Sequence, residues 1–144
     1  MENIFLLEQA RSAGFDDCLR PASCGSLGET TVANILWLQD GILHTPSIDL
    51  GILPGVVRAL LLRLAPSLDI PCKEGAFDPD SLRMADALFI ANASIGLLPV
   101  QSIHGVGREC SFNSATPPLF HRLREALRHT QEQTALQPPS HDAE

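Results

Sequence analysis

A turn signal between two apolar segments is the feature that most constrains the fold of this chain. Asp40-Gly41 separates residues 31–38, which are apolar and β-branched, from a second extended segment at residues 42–45. An Asp-Gly pair readily adopts the positive φ angles of a two-residue turn. The sequence therefore predicts an antiparallel β-hairpin at this position.

Helical spacing occurs in three other segments. Apolar residues recur every three or four positions in residues 3–13, in residues 54–64 and in a segment that begins near residue 116. Gly14 is expected to end the first helix and Pro66 the second, and a shorter helix is predicted at residues 80–87. These patterns predict three helices, the last of them amphipathic.

Further strands are predicted at residues 15–19, 88–91 and 98–103, with a loop at 21–28 and a turn at 92–96. Alternation of strands and helices without a repeat or linker predicts one mixed α/β domain over residues 1–130. The polar, proline-containing residues 131–144 are expected to form a disordered tail.

Composition excludes several functional classes. The chain has 144 residues, 44% of them hydrophobic, which is sufficient for one globular core. Its formal net charge of −7 argues against nucleic-acid binding, which needs clustered Lys and Arg. We expect no membrane span and no signal peptide, because apolar runs are short and the first residues lack basic side chains. A cytoplasmic location is expected.

The four cysteines do not have the spacing of a metal site. Residues 18, 24, 72 and 110 contain no C-x-x-C pair and no histidine at zinc-finger distance. We expect no metal, and we interpret the cysteines as reduced thiols that act as small buried hydrophobic residues.

Four blocks follow one another in a fixed order. They are Glu29-(x4)-Asn34-Ile35-Leu36-Trp37, Asp40-Gly41-(x2)-His44-Thr45-Pro46, Leu53-Pro54-Gly55-Val56-Val57-Arg58, and Ala85-Asp86-Ala87-Leu88-Phe89-Ile90-Ala91-Asn92 with Leu98-Pro99-Val100. From about residue 3 to about residue 105, the chain resembles the class IV aminotransferase family, the fold-type IV pyridoxal-phosphate enzymes. The resemblance covers only the C-terminal part of that family and implies its C-terminal domain, a mixed sheet or pseudo-barrel with packed helices.

The resemblance implies a pyridoxal 5'-phosphate site formed by one acid and two turns. Glu29 falls at the position of the acid that bonds the pyridine nitrogen. An anion at the helix start near Gly55 is also favoured physically, because helix N-termini present unpaired N–H groups. The implied phosphate-binding residues are Gly55, Val56 and Val57 on the first turn, and Asn92, Ala93 and Ser94 on the second.

Other polar residues receive no role in this interpretation. The arginines of the predicted helices, among them Arg58 and Arg63, are expected to lie on solvated faces. His44, His104 and His121 are interpreted as ordinary surface or core histidines.

The lysine that forms the Schiff base in this family lies upstream of the matching region. The only lysine here, Lys73, matches no catalytic position and is expected in an exposed connection. We therefore predict no catalytic residue in this chain. We expect it to be truncated relative to the family and to lack the smaller N-terminal domain.

Within the family, the resemblance is greatest to the 4-amino-4-deoxychorismate lyases, which form 4-aminobenzoate and pyruvate for folate biosynthesis. A fragment of an aminotransferase acting on D-amino or branched-chain amino acids is an alternative, and a non-catalytic, partner-binding remnant is another. The resemblance implies a small-molecule substrate and either a homodimer or the missing N-terminal domain as partner.

Overall fold

The computed structural model describes residues 2–105, 108–114 and 117–136. Within these ranges the helices are α1 (Glu2–Ser12), α2 (Val56–Ser67) and α3 (Pro118–Leu136), and 3-10 helices lie at Ile48–Leu50 and Pro79–Met84. The strands are β1 (Leu19–Pro21), β2 (Leu27–Thr30), β3 (Asn34–Gln39), β4 (Ile42–Pro46), β5 (Cys72–Gly75), β6 (Ala87–Asn92), β7 (Gly96–Val100), β8 (Ser102–Gly105) and β9 (Arg108–Ser111).

The predicted hairpin is confirmed as β3 and β4. Asp40 and Gly41 at its turn have φ angles of 52° and 76°, as a two-residue hairpin turn requires. β3 begins at Asn34 rather than at residue 31. The reason is that the Thr30 hydroxyl accepts the Ala33 N–H at 2.9 Å and closes a separate turn before β3.

β3 is the centre of a seven-stranded mixed sheet. One edge of β3 pairs antiparallel with β6 through residues 34–38 and 87–91, and β7 follows β6. The other edge pairs with β4 near the C-terminal end of β3 and with β2 at its N-terminal end. β5 joins β4 in parallel, because α2 carries the chain across between them. The predicted mixed α/β class is confirmed.

Both faces of β3 are buried, so the sheet separates two cores. Leu36 and Leu38 face the core under α2 and α3, where Phe120 of α3 stacks on Phe89 of β6 with ring centroids 5.1 Å apart. Trp37, between them in the sequence, belongs to the second core, which includes residues of β8, β9 and the second 3-10 helix. Period-two alternation along β3 thus supplies both cores.

Two predicted strands are placed differently in the structure. Residues 15–18 are irregular because the Asp17 carboxylate accepts the Thr31 hydroxyl at 2.5 Å and fixes a non-extended path. The strand predicted at 98–103 is divided at Gln101. The Ser114 hydroxyl donates to the Val100 carbonyl at 2.6 Å, and the chain then leaves the main sheet to form the separate β8–β9 pair.

The helices predicted at 3–13 and 54–64 are confirmed as α1 and α2, although α2 continues through Pro66 to Ser67. The helix predicted at 80–87 is instead the 3-10 helix Pro79–Met84. The Asp78 carboxylate caps it by accepting the Asp80 N–H at 2.9 Å, and Ala87 already belongs to β6.

α3 extends beyond the boundary that we predicted at residue 130. It continues to Leu136, since Gln and Glu in this segment are good helix formers and Arg128 forms ion pairs with Glu125 and Glu132 on the same face. The rest of the predicted tail, residues 137–144, lies outside the described residues.

Candidate functional site

Most of the predicted site residues line one open cleft of about 830 Å³. Its walls are the end of β2 with the β2–β3 turn, the segment before α2 with the first residue of that helix, and the β6–β7 turn. Six of the seven predicted residues line it: Glu29, Gly55, Val56, Asn92, Ala93 and Ser94. Val57 does not, because its side chain is 3% exposed in the core beneath α2.

Glu29 lies near the end of β2, and its side chain reaches the segment before α2. Glu29 Oε2 accepts the Leu53 N–H at 3.2 Å. Across the β2–β3 turn, Glu29 is the register partner of Asn34, the first residue of β3. The carboxylate is therefore fixed beside the start of α2 and lines the cleft.

The N-terminus of α2 provides main-chain donors at the cleft. Gly55 is the N-cap, with extended φ and ψ of −61° and 140°, and no side chain caps the helix. The first N–H groups of a helix have no partner within the helix and attract anions. Val56 is 78% exposed and Val57 is buried. Because valine side chains carry no hydrogen-bond donor, these two residues can bind an anion only through their main-chain N–H groups.

The β6–β7 turn is shaped by the side chain of Asn92. Asn92 Nδ2 donates to the Val32 carbonyl at 3.0 Å, and Asn92 Oδ1 accepts the N–H groups of Ser94 and Ile95 at 2.9 and 2.8 Å. The Asn92 amide thus holds the two turns of the cleft together. The ligand-facing candidates on this turn are the Ala93 main chain and the Ser94 hydroxyl.

Arg58 corrects one of our expectations. It does not lie on a solvated face but is 4% exposed. Its Nη2 donates to the Pro46 carbonyl at 3.0 Å and to Glu74 Oε1 at 2.5 Å. Arg58 therefore connects the first turn of α2 to the ends of β4 and β5.

Lys73 and His44 form a register pair between β5 and β4, and neither lines the cleft. Lys73 is exposed as predicted, but it lies in a strand rather than in an irregular connection. His44 is 8% exposed and stacks on Trp37 with ring centroids 5.6 Å apart. These contacts describe a core histidine.

Asn34 is the cleft residue to which the sequence interpretation gave no role. It belongs to the first of the four blocks, is 3% exposed, and donates from Nδ2 to the Leu53 carbonyl at 2.9 Å. The signal that could have identified it is its spacing from Glu29. Four intervening residues that form a tight turn place the two side chains opposite each other on neighbouring strands.

The four cysteines are unpaired, and Cys24 is exposed, so the expectation of buried cysteines is wrong for it. Among residues 2–105, 108–114 and 117–136, no group of three or more His, Cys, Asp or Glu side chains could hold a metal ion. Within the same ranges, no helix is long and apolar enough to cross a membrane.

The mixed sheet thus brings an acid and an uncapped helix N-terminus together in one cleft. Residues 1–103 match the family described as amino-transferase class IV. The chain belongs to this family, as the resemblance predicted. Its members are pyridoxal-phosphate enzymes, and one matching branched-chain amino acid aminotransferase structure contains N-(5'-phosphopyridoxyl)-L-glutamate.

Individual relatives differ in their activities. A branched-chain-amino-acid aminotransferase of Salmonella typhimurium is 27% identical over 106 residues, covering 74% of this chain and 34% of the relative. An aminodeoxychorismate lyase of Bacillus subtilis is 28% identical over 95 residues, covering 66% of this chain and 32% of the relative.

The same fold occurs in a solved structure from Legionella pneumophila, of a protein provisionally assigned as a 4-amino-4-deoxychorismate lyase. The TM-score is 0.82 and the identity 29%, over 90% of this chain and 46% of the other. The chain spans about a third of the length of the two curated relatives, so these comparisons concern one part of a longer architecture.

Proposed function

We propose that this chain forms the cofactor-holding half of an aminodeoxychorismate lyase. One observation carries the proposal: the Glu29 carboxylate and the uncapped N-terminus of α2 line the same cleft. An acid and a set of main-chain donors are what a pyridine nitrogen and a phosphate group require. The residues present therefore fit pyridoxal 5'-phosphate.

In this proposal, Glu29 binds the ring nitrogen, and the N–H groups of Val56 and Val57 bind the phosphate from the start of α2. Ala93 and Ser94 contact the phosphate from the β6–β7 turn. When bound, pyridoxal phosphate supplies an electron sink for the substrate. Glu29 keeps that sink effective by holding a proton on the ring nitrogen, since its negative charge favours the protonated form.

The amine that bonds the cofactor must come from outside these elements. Lys73 is the only lysine of the chain, and it lies on β5, away from the cleft-lining residues. We propose that a lysine-bearing domain, matching the part of the relatives that this chain does not cover, closes the other side of the cleft. A homodimer in the cytoplasm is part of the same proposal.

The proposed reaction converts 4-amino-4-deoxychorismate into 4-aminobenzoate and pyruvate. The similarity to the Legionella pneumophila structure supports this choice over other reactions of the family, because it combines the TM-score of 0.82 with 90% coverage of this chain. Transamination of branched-chain or D-amino acids is the second candidate. It is favoured by the longer alignment to the Salmonella typhimurium aminotransferase.

The deciding experiment restores the complete site. The domain preceding the matching region of the Bacillus subtilis lyase would be fused to this chain and loaded with pyridoxal phosphate. Formation of 4-aminobenzoate would be followed by fluorescence, and transamination by keto-acid formation from branched-chain and D-amino acids. We expect 4-aminobenzoate to form.

A matched control replaces the cofactor-bonding lysine of the added domain, which should abolish turnover because covalent and proton-transfer catalysis are lost together. Formation of keto acids without 4-aminobenzoate would show that the fusion is a transaminase instead. A folded fusion that binds the cofactor but turns over neither substrate would favour a non-catalytic domain.

A further inference from the structure

Two side chains on neighbouring strands, Glu29 and Asn34, bind the main-chain N–H and carbonyl groups of Leu53. Glu29 Oε2 accepts the Leu53 N–H at 3.2 Å, and Asn34 Nδ2 donates to the Leu53 carbonyl at 2.9 Å. Glu29 and Asn34 are register partners on β2 and β3. The sheet thus fixes the segment that leads into α2 by two hydrogen bonds to a single residue.

The oxygen of the Asn34 side chain, Oδ1, also restricts which residue can occupy position 55. A Cβ built on Gly55 would overlap Asn34 Oδ1. The N-cap of α2 therefore lies closer to Asn34 than would be possible for a residue with a side chain at position 55. Gly55 has a negative φ, and the requirement for glycine here is therefore contact with Asn34 rather than backbone conformation. Because Asn34 is 3% exposed and contained in the sheet, it has little freedom to move away.

We propose that Asn34 is a positioning residue for the phosphate-binding end of α2. Its amide sets the distance of residues 53–55 from β3, and hence the direction in which the first N–H groups of α2 face the cleft. Its register partner Glu29 is held in β2 by pairing with β1, so loss of the Asn34 amide displaces the phosphate turn and leaves the ring acid in place. This inference rests on the proposed function, because it assigns a role within the same cofactor site.

The test is a double-mutant cycle in the full 144-residue chain: Asn34→Ala, Gly55→Ala and the pair together. Binding of pyridoxal 5'-phosphate and of pyridoxal, which lacks the phosphate, would be followed through amide NMR signals, those of Val56 and Val57 for the phosphate and that of Glu29 for the ring. Gly75→Ala is the matched control, because Gly75 lies in β5 and an added Cβ there would make only ordinary contact with Phe77.

We expect Asn34→Ala to weaken pyridoxal phosphate binding roughly three- to tenfold, as for the loss of one ordering hydrogen bond, and to change pyridoxal binding by less than about twofold. Gly55→Ala should weaken phosphate binding at least as much. The double variant should bind no more weakly than Asn34→Ala, because removing Oδ1 makes room for the new methyl group. Asn34→Ser, which removes both the amide donor and Oδ1 without adding a charge, replaces Asn34→Ala if that variant does not fold.

The outcomes separate this inference from the proposed function. A wild-type chain whose Val56 and Val57 signals respond to pyridoxal phosphate, with an unchanged affinity in folded Asn34→Ala, would overturn the positioning role alone. An equal loss of affinity for pyridoxal phosphate and pyridoxal in Asn34→Ala would also overturn the positioning role, because a purely structural role predicts that result. A wild-type chain that binds neither ligand would overturn the proposed function, and the positioning role with it.

Discussion

Glu29 has two carboxylate oxygens with separate tasks in the proposed site. Oε2 accepts the Leu53 N–H, and the proposal assigns the ring nitrogen to the other oxygen. Glu29→Gln keeps an acceptor for Leu53 and removes the negative charge. In the fused enzyme we expect a roughly hundredfold lower rate of 4-aminobenzoate formation, by analogy with the loss of a preorganised electrostatic contact.

Glu29→Ala is the companion variant, because it removes both the charge and the contact with Leu53. It should lose at least as much rate as Glu29→Gln and should also bind the cofactor more weakly. Thermal denaturation of both variants would show that each is folded. If Glu29→Gln turned over at the rate of the parent fusion, the assignment of Glu29 to the ring nitrogen would be wrong.

The pKa values of the Cys24 and Cys72 thiols are shifted in opposite directions. The hydrogen bond with Ser26 lowers the pKa of Cys24, whereas burial and then the charge of Glu74 raise the pKa of Cys72. A lower pKa gives more thiolate at a given pH. At pH 8, iodoacetamide should therefore label Cys24 several-fold faster than Cys72, and the ratio should shrink as the pH rises and both ionise.

Peptide mass spectrometry after timed labelling measures both rates in one sample. Ser26→Ala should slow the labelling of Cys24 and leave Cys72 unchanged, because the Cys24 thiol forms a hydrogen bond with the Ser26 hydroxyl and the Cys72 thiol does not. Faster labelling of Cys72 than of Cys24 at pH 8 would contradict the opposite shifts.

For single residues, the sequence indicated which positions belong to the candidate site better than it indicated which side chains contact each other. The family resemblance carried by the blocks implied that Glu29 and Gly55 belong to one site, and both residues line the cleft. It did not indicate that the Asn92 amide contacts Val32, or that Asn34 contacts Gly55. Side-chain direction depends on neighbours that are distant in sequence, and a linear motif does not record them.

α2 is attached to the sheet by apolar packing and, in addition, by one buried cation. Arg58 joins the helix to Pro46 and to Glu74 at the ends of β4 and β5. We expect Arg58→Ala to lower the free energy of unfolding by roughly 2 kcal/mol, less than for a fully buried pair, because Glu74 is half exposed. Urea denaturation measures this value.

Arg63→Ala is the control on the same helix, since Arg63 is exposed. It should change the free energy of unfolding by no more than about 0.5 kcal/mol. Equal effects of the two substitutions would show that Arg58 contributes no more than an ordinary surface arginine.

Elements fixed by local signals were predicted well, and elements fixed by distant partners were not. The β3–β4 hairpin has its turn residues between its strands, so the sequence alone was sufficient. The end of β7 is set by Ser114, which contacts Val100 and Leu88 from fourteen or more residues away. No pattern within residues 98–103 contains that information.

The whole molecule presents apolar side chains around the cleft and on α1. Val32, Leu53 and Val56, which line the cleft, are 50%, 68% and 78% exposed. Ile4 and Phe5 of α1 are each about 60% exposed, and α1 buries none of its residues completely. Exposed apolar side chains of this kind favour association. We therefore expect the isolated chain to self-associate as its concentration rises.

Sedimentation velocity over about a hundredfold range of concentration tests this expectation. The pair Phe5→Ser and Leu53→Ser should shift the chain toward monomer. Met84→Ser is the control, because Met84 is also 68% exposed but does not line the cleft. A wild-type chain that sediments as a monomer throughout the range would contradict the expectation.

The contact between Asn92 and Val32 joins residues that are 60 positions apart, which has a consequence for the order of folding. Contacts of long sequence separation form late, because the intervening loop must be closed first, whereas the β3–β4 hairpin is local and can form early. The cleft is therefore complete only when the rest of the domain has folded. Pyridoxal phosphate would then bind the native state alone, so it would slow unfolding without accelerating folding.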